Sequence, residues 1–146
     1  MAEQTESSIV IASAPAQVIA VIADFDAYPV WSGEVQQAEV ESRGPDGRPE
    51  RVRFVLDSGA IRDTYTLGYE WDGDHRVSWH LVKAGMLTAL DGSYLLEPVA
   101  EGTQVTYRLV VDVRFPMIGL IKRKAEKVIV DRALKGLAAR VESLAG

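Results

Sequence analysis

Residues 115–146 close the chain as one long helical segment, and no other stretch of the sequence offers a helix of comparable length to pack against it. From 117 to 144 there is no proline, and Met, Ala, Leu, Lys, Glu and Arg, all good helix formers, dominate. At about 1.5 Å per residue such a helix runs roughly 40 Å, the width of a small domain. Its apolar side must be covered, and the rest of the chain reads mostly as strand, so a sheet curled around the helix is the simplest solution. The apolar positions fall on two sides: Ile118, Ile121, Ala125, Val128 and Ile129 share one, while Val130, Leu134, Leu137, Val141 and Leu144 drift to another. The helix is expected to meet two different surroundings. Gly136, inside it, costs about 1 kcal/mol against Ala and predicts either close packing or a bend.

The preceding residues divide at clear turn signals: Gly44-Pro45-Asp46-Gly47, Asp57-Ser58-Gly59, Asp72-Gly73-Asp74, Ala84-Gly85 and Glu101-Gly102. Between them lie β-branched, alternating runs, which predict seven strands at about 5–13, 34–43, 50–57, 61–71, 75–83, 87–97 and 103–114. The spacing is that of an antiparallel meander. Ser13-Ala14-Pro15 predicts a helix start with Ser13 as cap, followed by a short apolar helix over 16–23; residues 24–31 form a second short helix or tight turn limited by Pro29. The expected class is α+β, with two short helices after the first strand and a seven-stranded curved antiparallel sheet wrapped around the long C-terminal helix. Residues 1–146 form one domain in this reading, long enough to bury its own core.

Alternation assigns faces. In the fourth strand Ile61, Asp63, Tyr65, Leu67, Tyr69 and Trp71 lie together; in the seventh, Val105, Tyr107, Leu109, Val111 and Val113 do. Val52, Phe54 and Leu56 point inward from the third strand, and Val77, Trp79 and Leu81 from the fifth. Asp91-Gly92 predicts a bulge in the sixth. One helix cannot fill so wide a sheet, so a cavity is expected between them, with amphipathic groups such as Asp63, Tyr65, Tyr69, Trp79 and Tyr107 turned into it.

Several function classes are excluded or disfavoured. With no cysteine there are no disulfides, thiolate metal sites or cysteine nucleophile. His75 and His80 fall on opposite faces of a strand, so no metal site and no cofactor is expected. There is no Gly-x-Ser-x-Gly elbow, phosphate-binding loop or dinucleotide fingerprint. The polar N-terminus predicts no signal peptide, no apolar run is long enough for an integral membrane segment, and a cytoplasmic protein is expected. The net charge of −5 is uneven: residues 122–140 hold seven basic and two acidic residues, a local +5, while the remainder has nine basic against nineteen acidic, or −10. Such a body disfavours nucleic acid. The basic helix is either a solvated face beside an acidic body or a surface for transient contact with an anionic membrane or partner.

At Asp24-Phe25-Asp26-Ala27-Tyr28-Pro29-Val30-Trp31, preceded by Ile11-Ala12-Ser13-Ala14-Pro15-Ala16-Gln17-Val18, the chain resembles the opening of the START-like superfamily, also called SRPBCC or Bet v 1-like, and within it the polyketide cyclase/dehydrase group. The hairpin Gly92-Ser93-Tyr94-Leu95-Leu96-Glu97-Pro98 running into Gly102-Thr103-Gln104-Val105-Thr106-Tyr107, and the long closing helix, extend the resemblance over nearly the whole chain. It implies a helix-grip fold with a deep apolar cavity for lipids, polyketides, sterols or other hydrophobic molecules. Some such proteins are aromatase/cyclases; others bind or carry ligand, or serve as protein partners. No catalytic set carries over residue by residue.

The candidate site therefore comprises Trp31, Phe54, Asp63, Tyr65, Tyr69, Trp79, Met86, Tyr94, Tyr107, Met117 and Ile121. Asp63 is the candidate acid or base, because a carboxylate on an inward apolar face has a raised pKa unless it is paired; the alternative is a pair with Arg51, Arg53 or Arg62. The tyrosines either hydrogen-bond a ligand carbonyl or pack as rings. Trp31 stands beside the cavity mouth or anchors the short helices to the sheet. Met86 and Met117 suit a cavity that adapts to shape. The leading expectation is a monomeric or homodimeric protein that binds a hydrophobic small-molecule ligand. A cyclase/dehydrase-type enzyme and an interaction module with a vestigial cavity are the alternatives.

Overall fold

The computed structural model describes residues 5–32, 34–57, 62–114 and 119–145, with side chains at 119–122 and 145 outside the description. These residues form strands β1 (Thr5–Ile11), β2 (Val35–Arg43), β3 (Pro49–Asp57), β4 (Arg62–Asp72), β5 (Arg76–Ala84), β6 (Leu87–Val99) and β7 (Gly102–Val113). Helices α1 (Pro15–Ala23) and α2 (Tyr28–Trp31), joined by a 3-10 turn at Phe25–Ala27, lie between β1 and β2, and α3 (Gly119–Ala145) ends the chain. The sheet is antiparallel throughout, in the order β1-β7-β6-β5-β4-β3-β2. It is a meander from β2 to β7, with β1 returning to pair along β7, Thr5 opposite Leu109 and Ile11 opposite Thr103. The α+β architecture of the sequence reading is the observed one, with strand ends displaced by a residue or two.

Local chemistry explains the turns. Gly47 and Gly73 take φ of 82° and 54°, the left-handed region open to glycine, in the β2–β3 and β4–β5 turns. Gly102 has φ 141°, and a Cβ there would stand 2.1 Å from the Ile11 carbonyl oxygen, so glycine is what lets the end of β1 cross the β6–β7 turn. The start of α1 departs from expectation. Ala14, not Ser13, occupies the cap position; the Gln17 side chain accepts its N–H at 3.0 Å, and Pro15 opens the helix. The Ser13 hydroxyl is buried without a partner among the described residues, while Thr103 Oγ1 donates to the Ser13 carbonyl at 2.7 Å.

The sixth strand also differs. β6 pairs in regular register with β7 through Asp91 and Gly92, and its irregularity on that side lies between Leu87 and Ala89. The break at Asp91 faces β5 instead. The β5–β6 ladder stops at Trp79–Gly92, and the Asp91 side chain accepts the Leu81 N–H at 3.2 Å where a ladder bond would continue.

α3 lies across the inner face at one end of the sheet, over β1 and β7. Val130, Leu134, Leu137 and Val141, one side of the helix, are buried against Ile11, Val105, Leu109 and the α1 residues Val18 and Ile22 in the core. Glu126 is buried with them, accepting from Thr5 Oγ1 and from the Val111 N–H, both at 2.8 Å. Leu144 and Val128, read as buried from their spacing, are exposed. Gly136 marks close packing: a Cβ there would meet the Trp31 ring at 3.3 Å, and the helix runs on unbroken. Because α3 packs on the β1–β7 end, it does not pack directly on the inner face of β3 to β6.

Candidate functional site

The half of the inner face on which α3 does not pack walls a cavity of about 450 Å³. Period-two alternation turns Phe54 and Leu56 from β3, Tyr65, Leu67 and Tyr69 from β4, Trp79 from β5, Leu90 and Tyr94 from β6 and Tyr107 from β7 into it. Ile22 of α1, Tyr28 and Trp31 of α2, and Ile129, Arg132 and Ala133 of α3 close the other side. Ser32, Glu34, Val35 and Asp57 complete the lining at the β2–β3 end. The helix thus meets the two surroundings its sequence implied: its Val130–Leu137 side enters the core, and its Ile129–Ala133 side faces the cavity.

The aromatic rings form a continuous network. Tyr94 and Tyr107 lie 4.6 Å apart between centroids, Trp79 sits 5.4 Å from Tyr94 and 5.6 Å from Tyr107, and Tyr69 bridges Trp79 at 5.8 Å and Phe25 at 4.9 Å. Phe54 stacks on Tyr65 at 5.3 Å, and Tyr28 tilts against Trp31 at 4.9 Å. Tilted and edge-on contacts of this kind hold rings in place beyond their burial, by about 0.5–1.5 kcal/mol each. Trp79 reaches its position because Gly92 opposes it: a Cβ on Gly92 would stand 2.5 Å from the indole and 2.7 Å from the Arg108 carbonyl.

The polar atoms in this aromatic wall are donors. Tyr28 gives its hydroxyl to the Ile22 carbonyl at 2.6 Å. The hydroxyls of Tyr65, Tyr69, Tyr94 and Tyr107 make no hydrogen bond to another described residue, and Trp31 Nε1 is buried with no acceptor among them. Burial pushes all five tyrosine hydroxyls well above their usual pKa; neighbouring phenols add to the effect at Tyr28, Tyr65, Tyr69 and Tyr94, and the Glu34 carboxylate adds to it at Tyr107 and Tyr65. They stay protonated. They can donate to an acceptor on a ligand, such as a carbonyl, but cannot serve as tyrosinate bases near neutral pH. At the exposed end Arg132 pairs with Glu34 at 2.8 Å, and the Asp57 N–H donates to the Glu34 carbonyl at 2.8 Å.

Of the residues named from sequence, Trp31, Phe54, Tyr65, Tyr69, Trp79, Tyr94 and Tyr107 are brought together around this cavity. Trp31 lines the cavity, and its ring seats α2 on Gly136 of α3, where the alternative considered for it was an anchor to the sheet. Asp63 is elsewhere. Its carboxylate accepts the N–H groups of Thr64, Gly85, Met86 and Leu87 at 2.8–3.1 Å, and so ties β4 to the β5–β6 turn. Partial burial raises the Asp63 pKa, but these four backbone donors outweigh it, and the net shift is downward, opposite to the shift expected of an inward acid. These backbone groups take the place of the three arginines considered as its partners. Met86 stands in that turn, away from the cavity lining. Met117 and the Ile121 side chain lie outside the described residues.

Sequence reasoning missed Tyr28, Glu34 and Arg132 as lining residues. The i, i+3 spacing of Tyr28 and Trp31 was the available signal for the first, and that of Ile129 and Arg132 for the last. Trp71, expected in the core, is half-buried; it donates to the Pro49 carbonyl at 2.7 Å and carries the Arg48 guanidinium 5.4 Å above its ring.

Solved structures of the same fold exist. A START superfamily protein from Mycobacterium smegmatis superposes with a TM-score of 0.90 at 21% identity, covering 97% of this chain and 98% of that one. The Zhui aromatase/cyclase from Streptomyces sp. R1128 gives 0.77 at 16% identity, covering 97% and 94%. A protein from Thermus thermophilus gives 0.83 at 23% identity, covering 99% and 100%. No curated protein matches the sequence. At these identities the likeness concerns the fold, which is START-like, a sheet gripping a C-terminal helix over a cavity. The sequence itself carries the family: residues 2–142 match the one described as "Polyketide cyclase / dehydrase and lipid transport". A chain matched over nearly its full length, with the sheet, closing helix and cavity of that fold, belongs to the polyketide cyclase/dehydrase and lipid transport family.

Proposed function

We propose that this protein binds a hydrophobic small molecule carrying oxygen acceptors, held in the cavity between α3 and β3–β6. The observation that carries the reading is the cavity wall itself: packed aromatic rings around four protonated tyrosine hydroxyls and an indole N–H that lack acceptors among the described residues. Apolar contact supplies the affinity, at about 25 cal/mol per Å² buried, and the donors orient the ligand. Trp31, Phe54, Tyr65, Tyr69, Trp79, Tyr94 and Tyr107 are the proposed binding residues.

A cyclase-type reaction in the same cavity is the second reading. It is favoured by the same donors, which would polarise ligand carbonyls while the walls hold a folded chain in one conformer. Among the described residues the carboxylates lining the cavity are Glu34 and Asp57, and both are held in ion pairs, Glu34 with Arg132 and Asp57 with Arg62. That arrangement favours binding over proton abstraction.

Native mass spectrometry of the purified protein, with extraction and identification of any copurifying molecule, tests both. An oxygenated lipophile at one per chain is the expected result. A protein that arrives empty and takes up no Nile red would overturn the binding reading. Recovery of a ligand in a chemically altered form after incubation would favour the enzyme.

A further inference from the structure

An apolar ligand must enter the cavity at its mouth, where Ser32, Glu34, Asp57 and Arg132 line it. Arg132 also belongs to the outer stripe of α3, where Lys124, Val128, Arg132, Lys135 and Ala139 recur at helical spacing and are exposed. On the other side of the mouth, α2 sets Trp31 against Gly136, one residue from Lys135, and leaves Pro29 and Val30 outward, Val30 at 76% exposure. The mouth is therefore flanked by cations and by exposed apolar side chains. Three acidic residues here are matched by cations, Asp131 with Lys127 at 2.9 Å, Glu34 with Arg132 at 2.8 Å and Asp57 with Arg62 at 3.2 Å, which leaves Lys124 and Lys135 as the surplus charge of the stripe.

We propose that the outer face of α3, together with the Pro29–Val30 turn, docks on an anionic lipid bilayer with the cavity mouth turned toward it, so that ligand passes between membrane and cavity. The inference rests on the cavity being a site for a hydrophobic molecule. Such a molecule has little solubility in water and resides in membranes, so uptake is fastest where the mouth meets a bilayer. The charge distribution supplies the orientation: residues 122–140 carry +5 in sequence, with Lys124, Arg132 and Lys135 on the outer stripe, while the rest of the chain carries −10, so an anionic surface attracts α3 more than the rest of the molecule. Binding through a few basic residues and one or two shallow apolar side chains is weak, reversible and sensitive to salt. Those are the properties required of a protein that must also leave.

The test is flotation of the full chain with vesicles of phosphatidylcholine alone and of phosphatidylcholine mixed with phosphatidylglycerol. The wild type is expected to float with the mixed vesicles at low salt, to be released as salt rises, and to ignore the neutral ones. Lys124→Glu/Lys135→Glu, altered at residues outside the cavity lining, should lose at least about 25-fold in partitioning, roughly fivefold for each lysine removed from an anionic surface. Its uptake of Nile red from solution should be unchanged, while its uptake from mixed vesicles slows. Equal binding to both kinds of vesicle, or wild type and variant floating alike, would overturn the proposal. So would a protein that ignores mixed vesicles but binds polyglutamate at low salt, since that face would then suit an acidic protein. If vesicle binding persists while Nile red never enters, the docking surface stands and the cavity reading is what fails.

Discussion

A tyrosine hydroxyl without a protein partner is a group whose removal should be nearly silent in the empty protein. Tyr65→Phe and Tyr107→Phe delete no hydrogen bond to a described residue, so urea unfolding should move by no more than about 0.5 kcal/mol. Affinity for an oxygenated lipophile, read by titration, should fall about three- to tenfold, the worth of one net hydrogen bond. Gly92→Ala should do the reverse. Its Cβ overlaps the Trp79 indole and the Arg108 carbonyl, and overpacking of this kind costs about 1–3 kcal/mol. A lowered melting temperature with a shifted tryptophan emission is the expected readout. Asp63 gives a pH dependence. Its folded pKa lies below the usual 3.8, so its contribution is present above that pH and is lost as pH falls through the folded value. Asp63→Asn should be less stable than wild type by about 1 kcal/mol at neutral pH, and the gap should close in acid. The aromatic lining was legible because period two is a rigid rule once a strand's phase is known. Asp63 shares that phase, yet its carboxylate is short, sits at the end of β4 and finds four backbone donors. Three of those donors belong to a turn more than twenty residues further along the chain, which alternation does not reveal.

At the scale of elements, α3 is held less by its length than by where it grips. Its long apolar side packs over β1 and β7, and Glu126 reaches past the start of β1 to take the Val111 N–H, beyond the last β1–β7 pair at Thr5 and Leu109. Glu126→Ala leaves the buried Val111 N–H without its acceptor, and a buried unmade bond costs about 1–3 kcal/mol. Hydrogen exchange should show the loss first at the Val111 amide and along β1. Glu126 looked like one charge among many in a basic helix; its burial depends on the register between α3 and β7, which helical periodicity alone does not define. The same limit applies to Val128 and Leu144, apolar by spacing yet outside the contact. The break at Asp91 was visible as an irregularity, but not which neighbour it faced. Edge strand β2 carries register shifts at Val35/Gln37, Val40/Ser42 and Ser42/Arg43, which leave it a poor template for another strand.

For the molecule as a whole, the cavity is a consequence of asymmetry: one helix on a seven-stranded sheet covers one end and leaves the other lined but unfilled. A ligand that occupies the space should stabilise the fold. At a hundred times its dissociation constant the gain is about 2.7 kcal/mol, which for a chain of this size raises the melting temperature by roughly 5–10 °C. Trp79→Ala should weaken this shift, and an unchanged shift would remove Trp79 from the binding wall. The order of the elements along the chain adds a further consequence. β1 is made first but finds its partner strand in β7, and α3, which closes the inner face, is made last. During synthesis on a ribosome, the aromatic half of the sheet is complete while only α1, α2 and the turn between them are there to cover it. A lipophilic molecule present at that moment meets an open trough instead of a narrow mouth, so cargo can be enclosed at birth, and a chain folded in its absence need not carry the same occupant.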